Sequence, residues 1–273
     1  MMLIGDIFPF DSVEQTEFID LMNSLYALND FSLPLTSIDN LNTMLYDQFN
    51  VNSCNRYDGD FDPNISLQAV SDKIKECSYY YLDTLSQKFH QLSKSDTNYF
   101  SICSFNINSL PANFESFSLM LTEISFKFDI IGICESKLIK DIESLYNIPN
   151  YTRVTNCNTR KSGGLALFIN NKYFNVKIRN DLNKMLLHFE SLFVEINVNG
   201  KNILVGVIYR RPGTRVDDFV AELDDVMSLV KRGNLPVYLS GDFNINLLNY
   251  DNCQHTQTFV NLMHSYGLYN VIN

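Results

Sequence analysis

Apolar stretches recur along the second two-thirds of the chain, and several end on a polar residue that a core would not choose. Residues 128–134 are nearly all apolar, which suits a strand covered on both faces, and Glu135 follows them. Residues 100–107 form a second candidate strand, with Asn106 and Asn108 at its end. Between the two, residues 114–126 repeat at helical spacing, with Phe117, Met120, Leu121 and Ile124 on one face. Strand, helix and strand in so short a stretch predict a β-α-β unit. Further strands are predicted over 151–155, 164–169, 192–198 and 203–209, and Asn199-Gly200 is a type I′ hairpin signal between the last two. Residues 216–230 predict an amphipathic helix with Asp217 and Asp218 near its start, where the helix dipole favours acids. A strand over 236–240 and a helix over 254–266, ended by Gly267, complete the pattern. This order predicts a sheet-rich α/β sandwich with sheets inside and helices outside.

Before residue 99 the pattern is different. Residues 13–28 and 70–92 have helical spacing, and residues 50–66 read as a linker. Charge divides at the same place. Residues 1–98 hold 15 acidic and 5 basic residues, whereas residues 99–273 hold 16 of each. Two units follow: an acidic leader over 1–98, partly helical or disordered, and an α/β domain over 99–273. The overall net charge of -10 argues against a broad basic face for nucleic acid, but not against a local contact or a metal-mediated one. The six cysteines show no metal spacing, and Cys103 and Cys134 fall inside apolar strands, which fits a reducing compartment. With no long apolar run and no basic leader, the expectation is an intracellular protein of nucleus or cytoplasm, neither membrane-bound nor secreted.

Three strand ends carry the candidate chemistry. They are Asn106 with Asn108, Glu135, and Asp242 with Asn244. Residues i and i+2 of a strand project to the same side, so Asp242 and Asn244 share a cleft if the strand runs that far. A carboxylate at the end of a buried run needs a partner, and a hard divalent cation suits it. Mg²⁺ takes oxygen ligands and needs only one or two carboxylates when phosphate and water complete its shell. Asp242 could position a water or take its proton. Tyr209 ends an apolar strand, and Arg210 and Arg211 follow it, either as a solvated pair or as a contact for phosphate.

These residues resemble, in order, the motifs of the endonuclease/exonuclease/phosphatase superfamily, and within it the endonuclease of non-LTR retrotransposon polyproteins. Ser104-Phe105-Asn106-Ile107-Asn108 is similar to the opening Asn motif, and Ile133-Cys134-Glu135-Ser136-Lys137 to the segment with the metal-binding Glu. Ser162-Gly163-Gly164 resembles the Gly-rich strand start, Tyr209-Arg210-Arg211-Pro212-Gly213 the Tyr motif, and Gly241-Asp242-Phe243-Asn244 the Gly-Asp-Phe-Asn motif. The resemblance implies a four-layer α/β/β/α sandwich and Mg²⁺-dependent (or Mn²⁺-dependent) cleavage of DNA phosphodiesters. It implies Glu135 as metal carboxylate, Asn106 and Asn108 lining the metal and phosphate pocket, Tyr209 on the scissile phosphate, Asp242 at the water and Asn244 supporting the transition state.

The family's closing Ser-Asp-His motif does not occur in residues 245–273, and His255 and His264 fall on a predicted helix. The resemblance therefore implies a C-terminally incomplete sandwich and a weakened enzyme. A non-catalytic binding module and a phosphatase of the same superfamily are the alternatives.

Overall fold

The computed structural model describes residues 2–4, 82–93, 100–157 and 163–270. The helix expected over 13–28 and the linker over 50–66 lie outside them. The elements in chain order are β1 (Met2–Ile4), α1 (Leu82–Ser93), β2 (Ile102–Asn106), α2 (Leu110–Ile124), β3 (Ile130–Cys134), β4 (Tyr151–Asn156), β5 (Leu165–Asn170), β6 (Lys177–Ile178) and β7 (Lys184–Met185). They continue with β8 (Phe189–Val198), β9 (Lys201–Arg210), α3 (Val216–Arg232), β10 (Val237–Asp242), α4 (Gln254–Ser265) and β11 (Tyr269–Asn270).

The strands form two sheets. One has the order β2-β3-β5-β4, with β2 and β3 parallel, as a β-α-β unit requires. The other has the order β11-β1-β10-β9-β8-β6, with β7 also on β8. In it β8 and β9 form the long hairpin turned by Asn199 (φ 50°) and Gly200 (φ 84°), the left-handed pair that a type I′ turn needs. Strand β10 lies parallel to β9, with Asp242 opposite Tyr209.

The apolar runs become legible once the layers are seen. In β3, Ile130 and Cys134 face the other sheet, whereas Ile131 and Ile133 face helices. In β9, Ile203, Val205 and Val207 face the small sheet, whereas Leu204 and Ile208 pack under α3 and α4 with Phe219, Leu223, Phe259 and Met263. Both faces of each strand are therefore dry, and the alternation disappears from the sequence. The result is a four-layer α/β/β/α sandwich. Helix α1 joins the outer layer over the small sheet, where Leu85 and Phe89 are buried with Phe117 and Ile124 of α2.

Local signals fix the helix ends. Ser109 caps α2 by accepting from the Ala112 N–H at 3.3 Å, with a proline in the first turn. Helix α3 has Asp217 and Asp218 in its first turn and Lys231 and Arg232 in its last, both favourable to its dipole. Among the described residues no helix is long and apolar enough to cross a membrane.

Candidate active site

The polar strand ends converge at one edge of the sandwich. Asn106 ends β2 of the small sheet, Glu135 follows β3 beside it, and Asp242 ends β10 of the large sheet. The Asn106 side-chain amide donates to Glu135 Oε1 at 2.9 Å and to Asp242 Oδ2 at 2.7 Å. Its own oxygen accepts the Asn108 N–H at 3.1 Å, which sets the amide's orientation. Tyr209, at the end of β9, donates its hydroxyl to the Glu135 carboxylate. Burial, then the charges of Glu135 and Asp242, push the Tyr209 hydroxyl well above the usual phenol range, so it remains a neutral donor.

Backbone conformation aims these groups. Asn108, Glu135, Lys137 and Asn244 all have φ between 47° and 51°, the left-handed region that non-glycine residues seldom occupy. Such residues cost free energy and persist where surrounding contacts over-determine them. Here the Ser136 N–H donates to Gly164 O and the Lys137 N–H to Gly163 O, both at 2.9 Å. The Leu110 N–H donates to Ser136 O at 2.9 Å, tying the Asn106 loop to the same bend. Gly241 has φ 146°, and a Cβ there would lie 1.9 Å from the Ile208 carbonyl oxygen. Only glycine lets β10 pass that point and deliver Asp242.

The strand ends at Asp242, so the i, i+2 relationship does not carry to Asn244. The Asn244 N–H donates to Asp242 Oδ1 at 3.1 Å, and its side-chain amide donates to the Arg210 carbonyl at 2.7 Å. Arg210 was expected at a phosphate, but it is only 5% exposed. Its guanidinium donates to the carbonyls of Phe243 (2.7 Å), Asn244 (2.6 Å) and Thr214 (2.8 Å). It clamps the loop after β10. Burial lowers its pKa, with the nearby Asp242 acting the other way. Arg211 points to the buried carboxylate of Glu190 at 2.8 Å. Asn108, expected in the metal pocket, presents its side-chain oxygen to the Lys137 ammonium at 2.5 Å. Lys137 Nζ also stands 4.0 Å from Glu135 Oε2.

The motif reading did not assign roles to Lys137 or Glu190. Glu190 had a sequence signal: a carboxylate in Phe189-Glu190-Ser191-Leu192-Phe193, where the apolar neighbours on both sides leave little room for a solvent face. Two histidines are engaged away from the cluster, His188 with Glu222 at 2.8 Å and His255 with Asp217 at 2.9 Å. The Cys134 thiol beside the site is buried, which together with the Asp242 charge pushes its pKa far up, so it is an inert core group.

The acceptors that the cluster itself presents are the carboxylates of Glu135 and Asp242, bridged by the Asn106 amide, while the oxygens of Asn106 and Asn108 are held by the Asn108 N–H and Lys137. That fits a hard divalent cation that keeps several waters. Among the described residues no group of three or more His, Cys, Asp or Glu stands where a metal could sit. A cation here would rest on Glu135, with water and ligand oxygens completing its shell and Asp242 beside it.

The fold and site define an α/β/β/α sandwich with a carboxylate–carboxamide cluster bridging its two sheets. No family model matches the sequence, and no curated protein matches it. Solved structures are similar in shape. The endonuclease domain of TRAS1, a telomere-specific non-LTR retrotransposon, aligns at 12% identity with TM-score 0.47, over 63% of this chain and 74% of that one. Danio rerio TDP2 complexed with single-strand DNA product aligns at 14% identity with TM-score 0.40, over 55% and 63%. A mannosyl-6-phosphatase from Bacteroides thetaiotaomicron aligns at 17% identity with TM-score 0.42, over 59% and 69%.

Proposed function

We propose that the protein is a Mg²⁺-dependent (or Mn²⁺-dependent) phosphodiester hydrolase acting on DNA, of the retrotransposon endonuclease type. The observation that carries this reading is the meeting of three sequence motifs at one hydrogen-bonded point, where Asn106 joins Glu135 to Asp242. The ordered resemblance of those motifs supports nucleic acid as substrate.

Glu135 is the carboxylate that would hold the cation, with Asn106 and Asn108 beside it. A bound divalent cation supplies positive charge against the phosphodiester oxygens as negative charge builds on them. Asp242 is held by two donors, Asn106 and the Asn244 N–H, so one carboxylate face stays fixed to orient a water and accept its proton. Tyr209 stays protonated and donates a hydrogen bond, toward Glu135 at rest and toward a phosphate oxygen when substrate fills the cleft. Asn244 supports the developing charge. Arg210 and Arg211 hold the frame.

Incubation with supercoiled plasmid and Mg²⁺ or Mn²⁺ tests the reading. The expected result is nicking that needs the metal and is lost in Glu135→Ala. Metal-dependent nicking that survives Glu135→Ala, or no nicking and no metal-induced rise in melting temperature, overturns it. A metal-induced rise without nicking favours the binding module. Preference for a sugar phosphate over duplex DNA favours the phosphatase.

A further inference from the structure

The small sheet and the large sheet meet at a second polar contact, on the other side of Glu135 from Asn106. Glu190, on β8 of the large sheet, has no exposed surface. Its Oε2 accepts the Gly164 N–H at 2.7 Å, and its Oε1 accepts from Arg211 Nη2 at 2.8 Å. Gly163 and Gly164 precede β5 of the small sheet, and their carbonyls accept the Lys137 and Ser136 N–H groups that fix the bend at Glu135. The approach is tight enough that a Cβ on Gly163 would lie 2.3 Å from Glu190 Oε1. Glu190 also stands opposite Tyr209 in the β8–β9 ladder, and Tyr209 holds the Glu135 carboxylate itself.

We propose that Glu190 is a positioning residue for Glu135, acting through the Gly163-Gly164 turn. A buried carboxylate is costly unless both oxygens are satisfied, and here Arg211 supplies the charge and Gly164 the second donor. Glu190 therefore anchors the turn at one place. The turn in turn holds residues 135–137 in a backbone shape that Glu135 and Lys137 would not choose, with φ 51° and 48°. Arg211 acts as the outer support of this chain, not as a substrate contact.

Glu190→Gln tests the assignment with little change in volume. Glutamine can accept from Gly164 only by turning its NH₂ toward the Arg211 guanidinium, which is a donor facing a donor, so one of the two contacts is lost. The expected result is faster amide hydrogen exchange at residues 135–138, with exchange in the core of α3 unchanged. The Mg²⁺ concentration giving half-maximal nicking should rise by about 10-fold, as for other residues that orient a metal ligand. Unchanged exchange at 135–138, or an equal rise everywhere, overturns the proposal, as does an unchanged Mg²⁺ requirement in an active variant. If Glu190→Gln does not fold, Arg211→Met removes the outer support alone and should move the same two readouts in the same direction; no movement overturns the proposal. The kinetic arm rests on the hydrolase reading, but the exchange arm does not. Wild-type protein that fails to nick strikes that reading alone.

Discussion

Asn106 gives one side-chain amide hydrogen to Glu135 and the other to Asp242, joining strand ends of opposite sheets across 2.9 Å and 2.7 Å. Two carboxylates held this close depend on the donor between them. Hydrogen bonds to charged groups contribute about 1.5–3 kcal/mol each, and part of that survives at a partly buried site. Asn106→Ala should lower stability by about 2–4 kcal/mol in urea unfolding and reduce nicking by on the order of 100-fold. Asn106→Asp should be worse for stability, because a third carboxylate replaces the donor. A smaller loss in the aspartate variant than in the alanine variant would mean that the amide does not hold the two acids.

Gly241→Ala should be among the most damaging single-methyl additions in the chain. The added Cβ would meet the Ile208 carbonyl oxygen at 1.9 Å, and backbone in a central ladder has little room to move away. The φ of 146° is also outside what an L side chain tolerates. Strain and a broken β9–β10 ladder together should cost upwards of about 3 kcal/mol, read by denaturant unfolding or by loss of soluble protein. Gly213→Ala makes a control: φ is also positive there, but nothing lies within 4 Å, so the cost should be about 1 kcal/mol.

Much of this site could be read in advance because its signals are local. Glu135 stands out because the strand before it is dry on both faces, whereas the close approach of Gly241 to the Ile208 carbonyl shows only once β10 is seen to run through it to Asp242. The layer order follows from continuous apolar runs alternating with amphipathic helices. What could not be read depends on contacts distant in sequence. Arg210 is indistinguishable from a solvated arginine until the loop after β10 closes over it, 33 residues later in the chain. Asn244 shares the period-2 spacing with Asp242, but β10 stops at Asp242 and Asn244 lies beyond it in the left-handed region, with φ 49°. The place of β1 between β10 and β11 rests on three residues, too few to show a period.

Arg210→Lys should not behave as a conservative change. The guanidinium bonds three backbone carbonyls and the Thr214 hydroxyl in fixed directions, and an ammonium with three donors on a flexible stem cannot reproduce that fork. With carbonyls of Phe243 and Asn244 left short of donors, stability should fall by about 2–3 kcal/mol. Activity should fall further than stability accounts for, since the loop that holds Asp242 is loosened. Equal stability and equal nicking in Arg210→Lys would show that charge alone is needed.

Tyr209→Phe separates catalysis from pH-dependent stability. The hydroxyl's pKa is raised in the folded state, so the unfolded chain, with tyrosine near the usual value of about 10, releases its proton first as pH rises. Stability from this group is fully present below pH of about 10 and is lost above it, because the native state then binds more protons than the unfolded one. The phenylalanine variant should therefore show a shallower loss of melting temperature between about pH 10 and 11 than wild type. Tyr151, Tyr173 and Tyr238 are raised by burial in the same direction and will keep part of the slope. Nicking at neutral pH should fall by about 100- to 1,000-fold, the size of one lost donor to a developing oxyanion. Identical alkaline melting profiles would show that the Tyr209 hydroxyl gains nothing from the fold.

Phe89→Ala tests whether α1 belongs to the sandwich. Phe89 is 3% exposed, stacks on Phe126 with ring centroids 4.4 Å apart, and meets the edge of Phe128 at 5.3 Å. One turn earlier Leu85 is buried in the same core, and the Ser86 hydroxyl donates to the Glu123 carbonyl at 3.1 Å near the end of α2. Truncating such a ring costs about 3–5 kcal/mol where the cavity cannot collapse. A large part of that should appear in urea unfolding of the full chain, with one cooperative transition. A chain starting at residue 99 should lose at least as much, because it removes β1 from the large sheet and uncovers the outer face of α2 together with Phe126 and Phe128. If Phe89→Ala and the shortened chain both unfold like wild type, the domain begins where the acidic composition ends, and α1 and β1 only rest against it.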